Sequence, residues 1–153
     1  LFVGLLAKAF PDAKFVHISR DPAAVCWSNL KQYFRGNSTA YSYSLDDVIH
    51  YYSLYFDLME FWGHSFASRL INVDYELLTI SQEAETRRLL EELELDWEPS
   101  CLAPETNPKS VATASSKQVR LPVYKGSSEE WKKYRPYLRG KLDKLQEKYQ
   151  LPF

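Results

Sequence analysis

The spacing of apolar and polar residues divides the chain into helices and strands. Residues 1–10 form an apolar run closed by a proline, which predicts a short helix. Residues 14–19 have apolar side chains at positions 15, 16 and 18, which predicts a buried strand. Asp21 suits the N-cap of a helix and Pro22 its first position, so a second helix is predicted from Pro22 to about residue 34.

The same pattern continues through the middle of the chain. Ser44 suits an N-cap, and apolar residues follow it at helical spacing over residues 45–62. Residues 70–73 predict a second short strand, and Ser81 suits the N-cap of a helix over residues 82–93. The order of helices and strands is typical of an α/β fold, in which helices flank a parallel sheet.

The last third of the chain is different in character. Residues 99–128 contain four prolines with many Ser and Thr residues, which predicts a long irregular segment. Long loops in small domains are often functional. Apolar residues at helical spacing over 131–145 predict a helical region that Pro136 splits in two. Two strands make a poor sheet, and the chain starts with Leu inside an apolar run, so we expect it to be part of a longer protein.

Composition narrows the class of protein. The chain has 153 residues, 45% of them apolar, and a formal net charge of −1, which suits one globular domain over residues 1–153 and disfavours bulk nucleic-acid binding. No apolar run reaches the roughly 18–20 residues that a membrane helix needs. Cys26 and Cys101 have neither zinc-site spacing nor the pattern of a disulfide framework, so we expect a cytoplasmic protein without a metal site.

The first candidate for chemistry is Arg20, directly after the first predicted strand. Ligands of α/β sheets collect where strands end, and the planar guanidinium group suits a phosphate. The helix that starts at Pro22 adds positive potential, and Ser28 lies roughly 9 Å along that helix, within reach of the same anion. Alternatively, Arg20 pairs with Asp21 or another carboxylate, and Ser28 bonds only to its own helix backbone.

Two later segments offer further contacts to such a ligand. Tyr75 follows the second predicted strand and can reach the same crevice, although a Tyr there is more often a packed ring. Residues 113–124 crowd hydroxyls, an amide and two cations into the irregular segment. This segment is either a lid over a charged ligand or a solvated connection.

Three runs in order carry a family resemblance. They are Phe-Pro-Asp-Ala-Lys-Phe-Val-His-Ile-Ser-Arg-Asp-Pro ending at Pro22, Val-Asp-Tyr-Glu-Leu-Leu over 73–78, and Thr-Ala-Ser-x-x-Gln-Val-Arg-x-Pro-Val-Tyr over 113–124. Together they resemble the sulfotransferase family. The third run is similar to a bacterial branch that carries tetratricopeptide repeats upstream, and more distantly to tyrosylprotein sulfotransferases.

The resemblance implies the C-terminal portion of a P-loop-like sulfotransferase domain. Such an enzyme transfers a sulfuryl group from 3′-phosphoadenylyl sulfate (PAPS) to a hydroxyl or amine, releases 3′,5′-ADP and uses no metal. By resemblance, Arg20 and Ser28 hold the 3′-phosphate, Tyr75 contacts the nucleotide, and Ser115 stabilises the charge on the transferring group. The other donor-binding positions implied are Ser116, Gln118, Val119 and Arg120.

The sequence also departs from the family. Relatives often have basic residues where this chain has Gln32 and Glu130; a cation such as Lys125, Lys132 or Lys133 would have to compensate. The family's Gly-rich phosphosulfate loop does not occur here, and its catalytic base normally lies upstream. We therefore expect the isolated chain to be nearly inactive.

Two other functions stay open. One is a non-catalytic nucleotide- or protein-binding module with a degenerate sulfotransferase fold, which the residues at 32 and 130 favour. The other is a fragment similar to P-loop kinases, which would prefer ATP to 3′-phosphorylated nucleotides. The three histidines, His17, His50 and His64, are expected to be structural.

Overall fold

Helices flank one pair of parallel strands in a computed structural model of the chain, which describes residues 2–34, 37–109 and 118–149, with the backbone alone at 37 and 118. The helices and strands follow in the order α1 (Val3–Ala9), β1 (Phe15–Ser19), α2 (Pro22–Lys31), α3 (Leu45–Ser65), β2 (Leu70–Asp74), α4 (Tyr75–Ile80), α5 (Gln82–Leu93) and α6 (Lys141–Lys148). Short 3₁₀ helices cover Asn37–Tyr43, Pro99–Leu102, Pro104–Thr106, Gln118–Arg120 and Ser127–Tyr137. The predicted α/β order, with a parallel sheet flanked by helices, is confirmed.

The register of the sheet brings the two strand ends together. Strands β1 and β2 pair in parallel from Phe15 with Leu70 to Ser19 with Asp74. Because both strands end at this last pair, the next residues of each segment, Arg20 and Tyr75, leave the sheet side by side. This is the edge at which the sequence predicts a ligand.

Capping carboxylates start a helix directly after each strand. The Asp21 side chain accepts a hydrogen bond from the backbone N–H of Ala24 at 2.7 Å, and the Asp74 side chain accepts one from Leu77 at 2.7 Å. Each bond satisfies an N–H group that has no partner within its helix. The predicted N-cap at Asp21 is confirmed, as is the one at Ser44.

Several predicted boundaries are wrong in detail. Helix α2 ends at Lys31 rather than near residue 34, because Gln32 adopts an extended backbone with ψ of 126°. Ser81 makes no side-chain capping bond. Its backbone N–H instead donates to the carbonyl of Leu77 and closes α4, a helix that the sequence pattern does not predict. The chain passes from α4 to α5 through this one residue.

The break in the last helical region also differs from the prediction. Pro136 lies within the 3₁₀ helix Ser127–Tyr137, and it does not divide the region. The break falls at Arg139 and Gly140, whose φ angles are +51° and +67°. Two consecutive residues in the left-handed region reverse the chain direction, and glycine adopts this conformation at little cost.

The strand β1 is less buried than its sequence predicts. Val16 and Ile18 are 43% and 57% exposed. Their register partners in β2, Ile71 and Val73, are buried. Within the described residues β1 has one neighbouring strand, and this part of its face is left uncovered.

The core lies around α2, which packs against α3, α6 and the 3₁₀ helix Ser127–Tyr137. Its buried members come from all four elements and their flanks: Ala23, Ala24, Cys26, Val48, Tyr52, Trp131, Leu138, Leu142, Leu145 and Tyr149. Burial of α2 on these sides fixes the position of its N-terminus, beside the strand ends.

Truncation of Leu142 tests this core. The side chain is completely buried, so Leu142→Ala should lower the free energy of unfolding by about 2–5 kcal/mol. The exposed Lys144→Ala in the same helix is the control and should change it by less than about 0.5 kcal/mol. Urea titrations measure both. Equal effects of the two substitutions would contradict the packing of α6 onto α2.

The two cysteines should differ in reactivity. Burial, with a smaller contribution from the charge of Asp21, raises the pKa of the Cys26 thiol to about 12, whereas Cys101 is partly exposed. Because the thiolate is the nucleophile, iodoacetamide at pH 8 should alkylate Cys101 and spare Cys26. Peptide mass spectrometry reads out the labelling, with a denatured sample as the control in which both react. Equal labelling in the folded protein would refute the burial of Cys26.

Candidate functional site

The guanidinium group of Arg20 is held at the strand ends by three contacts. It lies over the ring of Tyr75, 4.6 Å from the ring centre. Its Nε donates to the hydroxyl of Ser128 at 3.0 Å, and its Nη2 donates to that of Ser127 at 3.3 Å. The hydroxyls of Tyr75 and Ser127 are 2.9 Å apart and hydrogen-bonded. These contacts set both the position and the plane of the guanidinium group.

Glu76 completes this arrangement from the first turn of α4. Its carboxylate accepts the backbone N–H of Asp21 at 3.2 Å and a hydrogen bond from the Ser128 hydroxyl. The Ser128 proton is therefore directed to Glu76, which leaves an oxygen lone pair facing Arg20. Ser128 is 6% exposed, so its hydroxyl has little competition from water. We call Arg20, Glu76 and Ser128 the arginine network.

Packing of the 3₁₀ helix Ser127–Tyr137 brings its serines to this edge. Trp131 is 1% exposed within the core, and Tyr134 packs on Trp27 with ring centres 4.5 Å apart. Two aromatic side chains on the same short helix thus anchor it against α2. Ser127 and Ser128, at its beginning, then lie next to Arg20.

A cleft of about 480 Å³ opens beside Arg20. This is within the size range of small-molecule sites, roughly 300–1,000 Å³. Its lining combines aromatic rings with charged groups and includes Trp27, Phe34, Tyr75, Tyr124, Arg20, Lys31 and Glu130. Aromatic rings can stack on a planar group, and cations can bind an anion.

The structure brings four of the sequence-predicted residues to this cleft: Arg20, Ser28, Tyr75 and Val119. The described hydrogen bonds of the Arg20 side chain go to Ser127 and Ser128 and not to Ser28 or Asp21. Arg20 and Ser28 therefore line the same cleft, and no hydrogen bond joins their side chains among the described contacts. Whether these residues bind a donor stays a prediction.

The other predicted residues are placed differently or lie outside the description. The guanidinium group of Arg120 donates to the backbone carbonyls of Asn107 and Lys109, and Arg120 does not belong to the described lining of the cleft. Ser115 and Ser116 lie outside the described residues, as does the side chain of Gln118. Their predicted roles therefore rest on the sequence.

Sequence reasoning missed two residues of the site, Ser127 and Ser128, and it gave no role to Glu76, which lies in the run over residues 73–78. The sequence holds one weak signal for the serines, the glycine at position 126 that precedes them. In the structure Gly126 has a φ of +86°, and the 3₁₀ helix starts directly after it. The contact itself joins residues 108 positions apart. No local pattern reports such a contact.

Glu130 has a partner that the sequence analysis did not identify. Its carboxylate forms an ion pair with Lys31 at the end of α2. The hydrogen bond from Lys31 is the main cause that holds the pKa of Glu130 below its usual range. Of the compensating lysines considered from sequence, Lys132 pairs with Glu129 instead.

His17 lies outside the lining of this cleft. Its Nδ1 is 2.9 Å from the side-chain oxygen of Asn72, and its Nε2 is hydrogen-bonded to the hydroxyl of Tyr55. Burial raises the pKa of Tyr55, so Tyr55 stays protonated and can donate to the ring. Both ring nitrogens are thus occupied by contacts within the protein.

The described ranges contain neither a cluster of metal ligands nor a membrane-spanning helix. Over residues 2–34, 37–109 and 118–149, no three His, Cys, Asp or Glu side chains gather in a way that could hold a metal ion. In the same part of the chain, no helix combines the length and the apolar character needed to cross a membrane.

The sequence of the chain is similar to those of known proteins. A model of the sulfotransferase family matches residues 1–99. An uncharacterised protein of Aquifex aeolicus (strain VF5) is 35% identical over 148 residues, which are 95% of this chain and 19% of that relative. The chain spans about a fifth of the length of the relative. Since the family match covers more than half of the chain and contains both strands with Arg20, Ser28 and Tyr75, the chain belongs to the sulfotransferase family.

Proposed function

We propose that this chain forms the donor-binding part of a PAPS-dependent sulfotransferase that acts on a hydroxyl or amine acceptor. The observation that carries the proposal is the guanidinium group of Arg20, held over Tyr75 beside a cleft that Ser28 also lines. The resemblance to the repeat-carrying bacterial branch extends the proposal to upstream tetratricopeptide repeats, and the cysteine pattern extends it to a cytoplasmic location.

The proposed donor fits the donors and rings of the cleft. A guanidinium group has five N–H donors, and the described bonds of Arg20 use two of them on serines. The others are available to a 3′-phosphate, and the Ser28 hydroxyl adds a further donor from α2. The rings of Trp27, Phe34 and Tyr124 offer faces for the adenine base.

The chemistry requires little covalent participation by the protein. The sulfur–oxygen bond of the phosphosulfate breaks and releases 3′,5′-ADP, a new bond forms from sulfur to the oxygen or nitrogen of the acceptor, and the acceptor's proton passes to a base. By analogy with phosphoryl transfer, alignment of the attacking and leaving atoms and stabilisation of charge carry the catalysis. By resemblance, Ser115 stabilises the transferring group, a contribution on the order of 3 kcal/mol for one well-placed donor.

One observation favours a second candidate function, a module that binds the nucleotide without transferring sulfate. Glu130 occupies a position at which relatives often have a basic residue, and its carboxylate forms an ion pair with Lys31 inside the cleft. Incubation of the full-length protein with ³⁵S-labelled PAPS and a panel of hydroxyl and amine acceptors separates the two. Transfer of label supports the enzyme, and binding without transfer supports the module.

Replacement of Arg20 tests the donor site. Arg20→Ala should weaken binding of 3′,5′-ADP by about 1.5–3 kcal/mol, roughly 10- to 150-fold, because a charge-assisted contact to the 3′-phosphate is lost. Binding of 5′-AMP, which lacks that phosphate, should change much less. Isothermal titration calorimetry on the full-length protein measures both ligands.

A matched control exists for this substitution. Arg87 also lies over a ring, with its guanidinium carbon 3.8 Å from the centre of the Trp97 ring, but it lies outside the cleft. Arg87→Ala should leave both affinities unchanged. If wild-type protein binds 5′-AMP as tightly as 3′,5′-ADP, the proposed role of Arg20 is wrong.

The arginine network generates a separate prediction. Ser128→Ala removes the hydroxyl that positions Nε of Arg20 and leaves Glu76 without that donor, so the preference for 3′,5′-ADP over 5′-AMP should fall about threefold to tenfold. A general loss of stability would weaken binding of both ligands equally, whereas loss of the positioning of Arg20 lowers the preference for 3′,5′-ADP over 5′-AMP.

The control for Ser128 is Ser100, an exposed serine whose hydroxyl donates to Glu98 at 3.2 Å. Ser100→Ala removes a similar serine–carboxylate bond away from the cleft and should not alter the preference. An unchanged preference in Ser128→Ala would show that the hydroxyl does not position Arg20.

A further inference from the structure

An ion pair lies within the cleft itself. Lys31 is the last residue of α2, three positions after Ser28, and its ammonium group contacts the carboxylate of Glu130. The two side chains are 40% and 46% exposed. Of the ion pairs formed by the described residues, this is the one whose members both line the cleft. An anion entering the cleft therefore meets a cation that already has a carboxylate partner.

Glu130 is an ionised group among cations. The hydrogen bond from Lys31 is the largest cause that lowers the pKa of the Glu130 carboxyl. Desolvation opposes it, and the charges of Lys31, Lys133 and Arg20 each lower the pKa by a smaller amount. Glu130 is thus negatively charged at neutral pH and lies in the field of Arg20. A ligand phosphate attracted by Arg20 is repelled by this carboxylate.

We propose that Lys31 is a second cation for the phosphate end of the ligand and that Glu130 is its resident counter-anion, which the phosphate displaces on binding. The proposal rests on the function proposed above and adds a residue pair to it. Two anions close to Lys31 repel each other, so binding of the phosphate favours a state in which the Lys31–Glu130 ion pair is opened or shifted. Glu130 thereby lowers the affinity of the cleft for phosphates.

Removal of one charge provides the first test. Calorimetry with 3′,5′-ADP on the full-length protein should show about threefold to tenfold tighter binding for Glu130→Gln than for wild type, because the repulsion is gone and Lys31 is free. Glu129→Gln is the matched control. It removes the same charge one residue earlier, where the carboxylate pairs with the exposed Lys132 outside the cleft, and it should leave the affinity nearly unchanged.

The second test distinguishes two roles of Lys31: a direct contact to the ligand, or only an ion pair with Glu130. In the Glu130→Gln background, Lys31→Met should cancel the gain and return the affinity towards that of wild type. If Lys31 only neutralised Glu130, the added substitution would have no effect in that background. Both side chains are partly exposed, so these variants are expected to fold, and circular dichroism confirms it for each.

The outcomes distinguish this inference from the proposed function. Equal changes in Glu129→Gln and Glu130→Gln, or no effect of Lys31→Met in the Glu130→Gln background, would overturn the inference while leaving the nucleotide site intact. If neither the wild type nor any variant binds 3′,5′-ADP, the proposed function is wrong, and this inference is wrong with it.

Discussion

The pairing of Ser19 with Asp74 at the end of the parallel strands determines the geometry of the candidate site. Arg20 directly follows Ser19, and Tyr75 directly follows Asp74; these two residues make the proposed contacts to the ligand. A register shift of one residue would move one strand by roughly 3.3 Å and turn its side chains to the opposite face. The guanidinium group would then lose the ring beneath it. The backbone ladder of β1 and β2 therefore sets the distance between the two contacts.

The arginine network explains how Arg20 is fixed without being neutralised. Glu76 lies close by, but it reaches Arg20 through the Ser128 hydroxyl, and no ion pair joins the two among the described residues. A direct carboxylate contact would bind the guanidinium group more strongly and compete with a ligand anion. An intervening hydroxyl orients the group and leaves its charge available.

Local sequence signals predicted the parts of the fold that depend on neighbouring residues. Asp21 and Pro22 start α2 as expected, since a cap and a fixed φ act within one turn. The position of Arg20 at the end of β1 is predicted for the same reason, because its place between a strand and a cap is visible in the sequence. The residues that hold it were missed, because Ser128 reaches Arg20 across 108 positions through the packing of Trp131. The predicted break at Pro136 is wrong, and the observed break lies at Gly140. A proline is a strong sequence signal for a helix break, whereas the left-handed backbone of Arg139 and Gly140 is not visible in the sequence.

The most direct test is a crystal structure of the full-length protein with 3′,5′-ADP. The account predicts the 3′-phosphate within about 3 Å of both the Arg20 guanidinium group and the Ser28 hydroxyl, with the Nε of Arg20 still bonded to Ser128. A nucleotide bound elsewhere, or one whose 3′-phosphate makes no contact with Arg20, would contradict it.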